Sequence, residues 1–332
     1  MTDARILTEA LRDPATVAQL DAAGWTALLA IARAEQLIGT LAHRLAGLPM
    51  PSAAARVLED ARASAEQGRI AALWEAEMAR RALAPTGMPV ILLKGTAYAA
   101  AGLAAGTGRA IGDLDILVPR ARLEEAEAVL LQAGWEWVKP DPYDDLYYRR
   151  WMHELPPLIH RERDRMIDVH HTILPLTARV TPDADALIAD SVVLENGLRI
   201  LAPHDMLCHA AAHLFADGDL AGGLRNLWDI HCLAGEHGIA GVEARAVHHG
   251  LEAAVGRALR LADRLYGGGL RYGQGRDRDM LYLRRLLARD DWGRPTRKLT
   301  RLGFYVRSHW LRMPPALLAQ HLFTKWRKTA AQ

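Results

Sequence analysis

The stretch "RAIGDLDILVPR", residues 109–120, sets two aspartates, Asp113 and Asp115, one residue apart at the mouth of an apolar run. On a strand, residues i and i+2 face the same side, so the two carboxylates project together while Leu114 and Ile116 turn towards a core. Like charges held side by side repel and push one group towards neutrality unless a cation lies between them. Mg2+ suits such a pair, because it takes oxygen ligands from one or two carboxylates and completes its shell with water and phosphate oxygens. A two-metal phosphoryl-transfer site asks for a third carboxylate on a neighbouring strand. "RMIDVHH" offers Asp168, with His170 two positions on and on the same face. A bare D-x-D also occurs as a solvated strand end, so its companions decide. In "LLKGT" a strand-to-helix turn at Gly95 can hold phosphate on backbone amides and a helix N-terminus. Lys94 precedes that glycine, Thr96 adds a hydroxyl, and Arg109 lies four residues ahead of Asp113, within reach of the same phosphates.

These residues need a scaffold. Residues 1–84 carry apolar residues at helical spacing, as in "TVAQLDAAGWTALLAIARAEQLIGTLAHRLAGL", and predict a bundle of four or so helices broken at "GLPMPS". Pro85, Gly87 and Pro89 mark a boundary. From Val90 to residue 202 strands and helices mix. "VILLKG", "DLDILV" and "WEWVK" read as strands, and "TAYAAAGLAAG" and "RLEEAEAVLLQAG" as helices. "YYRRWMHELPPLIH" and "RMIDVHHTIL" read as two strands joined by "RERDR", and "VVLENGLRILA" as a hairpin turning on Asn196-Gly197. Residues 203–270 are helical again and form a substrate-side subdomain, and 271–332 are a basic helical tail. The expected fold is α+β: a mixed-sheet core between helical N- and C-terminal regions.

The order "LLKG…R…GDLDILV…IDVHH", continued by "HDMLCHAAAHLF…LRNLWDIHCLA", resembles the uncharacterised nucleotidyltransferase family NTP_transf_5 of the polymerase-beta-like nucleotidyltransferase superfamily. The resemblance spans roughly residues 88–235. It implies that Gly95 lies in the nucleotide-binding turn, that Asp113 and Asp115 bind metal, and that Asp168 is the third carboxylate. His213 and Asp229 fall at positions that recur in that family's helical half. The wider superfamily favours Gly-Ser or Gly-Gly at the turn and a shorter gap to the first aspartate. Here Gly95-Thr96 stands eighteen positions before Asp113, across the Gly-rich "GLAAGTGRAIG".

Residues and resemblance together predict a Mg2+-dependent enzyme that moves a nucleoside monophosphate, most simply AMP from ATP, to an acceptor hydroxyl or phosphate. One or two Mg2+ ions are expected on Asp113, Asp115 and Asp168, the last of which also accepts the nucleophile's proton. Lys94, Gly95, Thr96, Arg109 and His170 are the expected nucleotide-binding residues. The acceptor, a small molecule, peptide or protein, is expected between the core and the helices after residue 203, where Arg225 adds a phosphate contact. A catalytically inactive binding module with the same fold is the rival from another class, and an HD-type phosphohydrolase is a third reading.

That third reading leans on His209 and His213, spaced i, i+4 on one helix, with Asp229, His231 and the "HD" at 204–205. Asp205, near a helix start behind Pro203, is better read as a capping acid. His213 and Asp229 read as a buried hydrogen-bonded pair between helices, or as partners of Asp168 and His170.

The chain of 332 residues is half apolar, with a net charge of +2, which excludes bulk attraction to nucleic acid or membrane. The charge is uneven: from Arg284 to the end twelve Lys/Arg face two acids, so the first 283 residues carry −8. This tail reads in three ways: a surface for an acidic partner or RNA, an interfacial helix on anionic lipid, "LLAQHLFTKWRK" in particular, or a helix packed back on the domain. No RNA-binding motif is present, and no stable nucleic-acid partner is expected. Cys208 and Cys232 read as reduced core thiols. "MTDARILTEALRD" has acids where a secretory signal needs positive charge, and no run reaches the ~20 apolar residues of a membrane span, so a cytoplasmic protein is expected.

Overall fold

A computed structural model of the chain describes residues 3–139, 141–216, 218–269 and 277–312, together with 314 and 318. Four helices open it: α1 (Arg5–Arg12), α2 (Ala22–Ala34), α3 (Ile38–Arg44) and α4 (Ser52–Leu83). The Asp21 side chain accepts a hydrogen bond from Gly24 N at 2.8 Å and so starts α2. "GLPMPS" separates α3 from α4.

The core follows: β1 (Ile91–Leu92), α5 (Lys94–Ala100), β2 (Leu114–Leu117), α6 (Leu123–Gln132), β3 (Trp135–Trp137), α7 (Pro142–Trp151), β4 (Leu158–His160), β5 (Met166–His170), α8 (Ala184–Ala189), β6 (Val192–Val193) and β7 (Arg199–Ile200). The seven strands form one mixed sheet in the order β3-β4-β5-β2-β1-β7-β6. The fold is α+β. The central pair β2·β5 is parallel, and its register sets Leu114 opposite Ile167 and Asp115 opposite Asp168. Ile116, Leu117 and Val169 of this pair are almost wholly inaccessible, as expected for strands covered on both faces. Residues 192–200 form the expected antiparallel hairpin.

One expectation fails. Tyr147–Trp151 is not strand; it belongs to α7. Asp141 accepts hydrogen bonds from Tyr143 N at 2.9 Å and Asp144 N at 3.0 Å, and Pro142 occupies the first helical position. Asp144 and Asp145 in the first turn and Arg149 and Arg150 in the last complement the helix dipole. Only Leu158–His160 of that stretch is strand, paired antiparallel to β5.

The chain ends in helices α9 (Pro203–Ala216), α10 (Gly223–His237), α11 (Val242–His248), α12 (Glu252–Tyr266), α13 (Asp277–Leu286) and α14 (Lys298–Arg312). One continuous apolar cluster joins α1–α4, the sheet and α9–α13. Helix α14 packs back on this body through buried Phe304, which meets Tyr282 edge-on at 5.1 Å. "LLAQHLFTKWRK", save Leu318, and residues 270–276 of the Gly-rich break lie outside the described residues. Cys208 and Cys232 are free and buried. Among the described residues no helix is long and apolar enough to cross a membrane.

Candidate active site

The β2·β5 register and the i, i+2 spacing of the D-x-D bring Asp113, Asp115 and Asp168 together. One carboxylate oxygen of each lies within 4.8 Å of the others. Their environments differ. Asp113 is exposed, at the edge of β2, and Asp115 is buried. The Lys94 ammonium donates to Asp115 Oδ1 at 2.6 Å. His170, 1% exposed, places Nε2 3.0 Å from the same oxygen. Burial opposes ionisation of Asp115, but Lys94 and His170 outweigh it and hold the carboxyl well below its usual range. Asp168 is the opposite case. Burial, reinforced by Glu154 and Asp115, pushes its carboxyl up to about 7. Its Oδ1 is buried with no hydrogen-bond partner among the described residues.

Lys94 adopts a left-handed backbone, φ 50°, at the turn from β1 into α5. A non-glycine residue held there stores strain of order 1–3 kcal/mol, which the surrounding packing must sustain. That turn is what aims the ammonium at Asp115.

Glu154 has no counterpart among the sequence expectations. A β-bridge sets it opposite His170 at the end of β5, and its Oε2 lies 3.4 Å from His170 Nδ1. Burial and the charges of Glu154 and Asp168 lift the Tyr148 hydroxyl to about 12, so α7 also borders the site. The sequence signal for Glu154 was an acid beside a histidine in "MHELPP", inside a segment whose pairing was misread.

The Gly-rich gap between Gly95 and Asp113 is a packed loop. Gly39 and Gly108 meet backbone to backbone, leaving no room for a Cβ on either. Thr40 Oγ1 donates to Thr107 O at 3.1 Å. Arg225, buried on α10, ties this loop to α3: it donates to Thr40 Oγ1 at 2.6 Å and to Ala105 O at 3.2 Å. Asp229 binds both Arg225 and Arg109. Arg109 therefore enters the site already paired. A Cβ on Gly95 would overlap the Arg109 side chain, so this glycine makes room for the arginine. Thr96 is buried, away from the cleft.

The cleft has a volume of about 1060 Å3. Lys94, Gly95, Asp113 and Asp115 form its floor, His213, Arg225 and Asn226 one wall, and Arg33, Asp60 and Ser64 the other. The second wall belongs to the N-terminal helices, which the expected acceptor position omitted.

The other histidines do not assemble into an HD-type centre. Asp229 is held by the two arginines rather than by His213. His231 packs against Trp228 and Tyr266, at 5.3 and 5.7 Å between rings. Asp205 is not a simple capping acid. It is fully buried and bound to Arg245 on α11 and to His249 at 3.2 Å. Among the described residues, the groups able to hold a metal contain none of His209, His213, His231, Asp205 or Asp229.

A family model described as an uncharacterised nucleotidyltransferase matches residues 21–267. The chain belongs to this family. It is a nucleotidyltransferase, and its substrates include a nucleotide. No curated protein matches it. Among solved structures it is similar to that of the antibiotic-resistance factor ANT(2'')-Ia, with 15% identity, a TM-score of 0.36, and coverage of 54% of this chain and 91% of that one. The nucleotidyltransferase has a carboxylate set that fits a divalent cation. Three carboxylates converge, and one of them, Asp168, has a buried oxygen, Oδ1, without a partner among the described residues.

Proposed function

We propose that the enzyme transfers a nucleoside monophosphate, most simply AMP from ATP, to an acceptor hydroxyl or phosphate, with Mg2+ held by Asp113, Asp115 and Asp168. The carrying observation is the convergence of these three carboxylates, two of which, Asp113 and Asp115, line the floor of the cleft. Fixing all three charges in a partly buried site is costly unless a cation compensates them, and the raised Asp168 pKa expresses that cost. What bound Mg2+ supplies is neutralisation of charge on the phosphate oxygens.

The chain's own residues divide the remaining work. Lys94 places an ammonium beside Asp115 at the cleft floor, within reach of a triphosphate. Gly95 makes room at the start of α5 for Arg109, which Asp229 orients at the border of the cleft. The acceptor oxygen attacks the α-phosphorus, the bond to the β-phosphate breaks, and pyrophosphate leaves. The Asp168 carboxylate takes the acceptor's proton. A cleft of this volume accommodates a nucleotide with an acceptor beside it, between α4 and α10.

The test is incubation of the enzyme with α-labelled ATP, Mg2+ and a cell lysate, followed by separation of protein, peptide and small-molecule fractions. Label should pass to one fraction with matching pyrophosphate release, and Asp113→Asn should abolish it. Transfer that persists undiminished in Asp113→Asn sinks the assignment.

A further inference from the structure

Beside the carboxylates lies a second group of ligating side chains, His153, Glu154 and His170, with one ligand atom of each within 4.8 Å of the others. His170 stands between the two groups. Its Nε2 lies 3.0 Å from Asp115 Oδ1, and that carboxylate, held ionised by Lys94, can only accept a hydrogen bond there. This fixes the tautomer: Nε2 carries the hydrogen and Nδ1 presents a lone pair. Nδ1 is buried and finds no hydrogen-bond partner among the described residues, although Glu154 Oε2 is only 3.4 Å away. His153 Nε2 lies 3.8 Å from the same Glu154 oxygen.

These separations are long for hydrogen bonds but suit donors around one ion. A tetrahedral ion with ligands at about 2.0–2.2 Å has ligand-to-ligand edges of about 3.4 Å. Two imidazoles and one carboxylate form a borderline donor set that favours Zn2+-type first-row cations over Mg2+. The Asp115–His170 hydrogen bond supplies the outer support that metal-bound histidines generally have, a carboxylate on the far ring nitrogen.

We infer that His153, Glu154 and His170 form a separate binding site for a Zn2+-type divalent cation. Three protein ligands leave a fourth position open. An ion there ties residues 153–154, which follow α7, to β5 and steadies the ring that orients Asp115. None of its ligands belongs to the Mg2+ set, so its occupancy is read separately from the nucleotide transfer proposed above.

The test is metal binding by the full-length enzyme, stripped with chelator and held in excess Mg2+ so that the three aspartates are occupied. Zn2+ is titrated against a chromophoric chelator, and Co2+ is followed by its visible absorption. Wild type should bind one equivalent tightly, with the Co2+ spectrum of a low-coordinate nitrogen and oxygen site. Glu154→Gln, nearly isosteric, should weaken binding by more than the roughly 10–100-fold that loss of an outer hydrogen-bond partner costs. His153→Ala should do the same, with circular dichroism confirming the fold of both variants. Asp113→Asn should bind as wild type does. The inference is overturned if wild type takes up no tight equivalent, if Glu154→Gln binds unchanged, or if Asp113→Asn abolishes binding. A nucleotidyl-transfer assay that failed would leave all of these readouts intact.

Discussion

Asp115 and Asp168 are register partners on the parallel strands β2 and β5, yet the first is paired with the Lys94 ammonium and the second has an oxygen, Oδ1, without a partner among the described residues. Their variants should therefore separate stability from activity. Asp115→Asn leaves Lys94 without its principal partner. Because the Lys94 side chain keeps 25% of its exposure, the loss should fall at the lower end of the roughly 3–5 kcal/mol seen on breaking buried pairs. Asp168→Asn removes a charge that burial, Glu154 and Asp115 all oppose, so its urea midpoint at pH 8 without Mg2+ should equal or exceed that of wild type. Both should lower kcat/KM by at least about 10²-fold. A strongly destabilised Asp168→Asn would contradict this division.

The Arg109–Asp229–Arg225 group holds three parts of the chain at the cleft: the Gly-rich loop, α3 through Thr40, and α10. Asp229→Asn leaves two arginines, one of them fully buried, without their shared carboxylate, and should cost about 3–5 kcal/mol. Hydrogen exchange should quicken in residues 38–44 and 104–109 before it does in β2. An equal rise across the sheet would mean that the group supports the whole fold and not this corner.

Much of this site was legible because a strand repeats every two residues: apolar flanks and the D-x-D spacing were enough to orient Asp113 and Asp115, and Asp168 showed the same pattern. What could not be read depends on long-range packing. The approach of Gly39 to Gly108, which makes the N-terminal helices a wall of the cleft, leaves no local periodic signal. Glu154 is brought to His170 by a bridge at the end of β5. The stretch "YYRRWMHELPPLIH" reads as one strand, but the Asp141-Pro142 cap and the charges at both ends of α7 make its first part helix.

That cap can be tested directly. Asp141→Ala removes the acceptor of two amide hydrogen bonds at the start of α7 and should cost about 1 kcal/mol. Protease cleavage within residues 142–151 should also quicken. A variant with wild-type stability and cleavage would show that the cap does not hold this helix.

Acid should weaken the protein in two stages. His209 is buried beside Lys94, and burial first, then that ammonium, holds its pKa well below the usual 6.5. Below about pH 6.5 the unfolded chain binds a proton there that the folded chain refuses, so stability falls with pH at up to about 1.4 kcal/mol per unit for this group. Asp205 acts lower. Burial opposes its charge, but hydrogen bonds from His249 and Arg245 prevail and depress its pKa. Its contribution is present above the unfolded value, about 3.9, and is lost as pH falls through the folded one. Urea midpoints at pH 7.5, 5.5, 4 and 2.5 should drop in wild type. His209→Gln should flatten the step from 7.5 to 5.5, and Asp205→Asn the loss below 4. If His209→Gln retained the full upper step, another buried base would have to account for it.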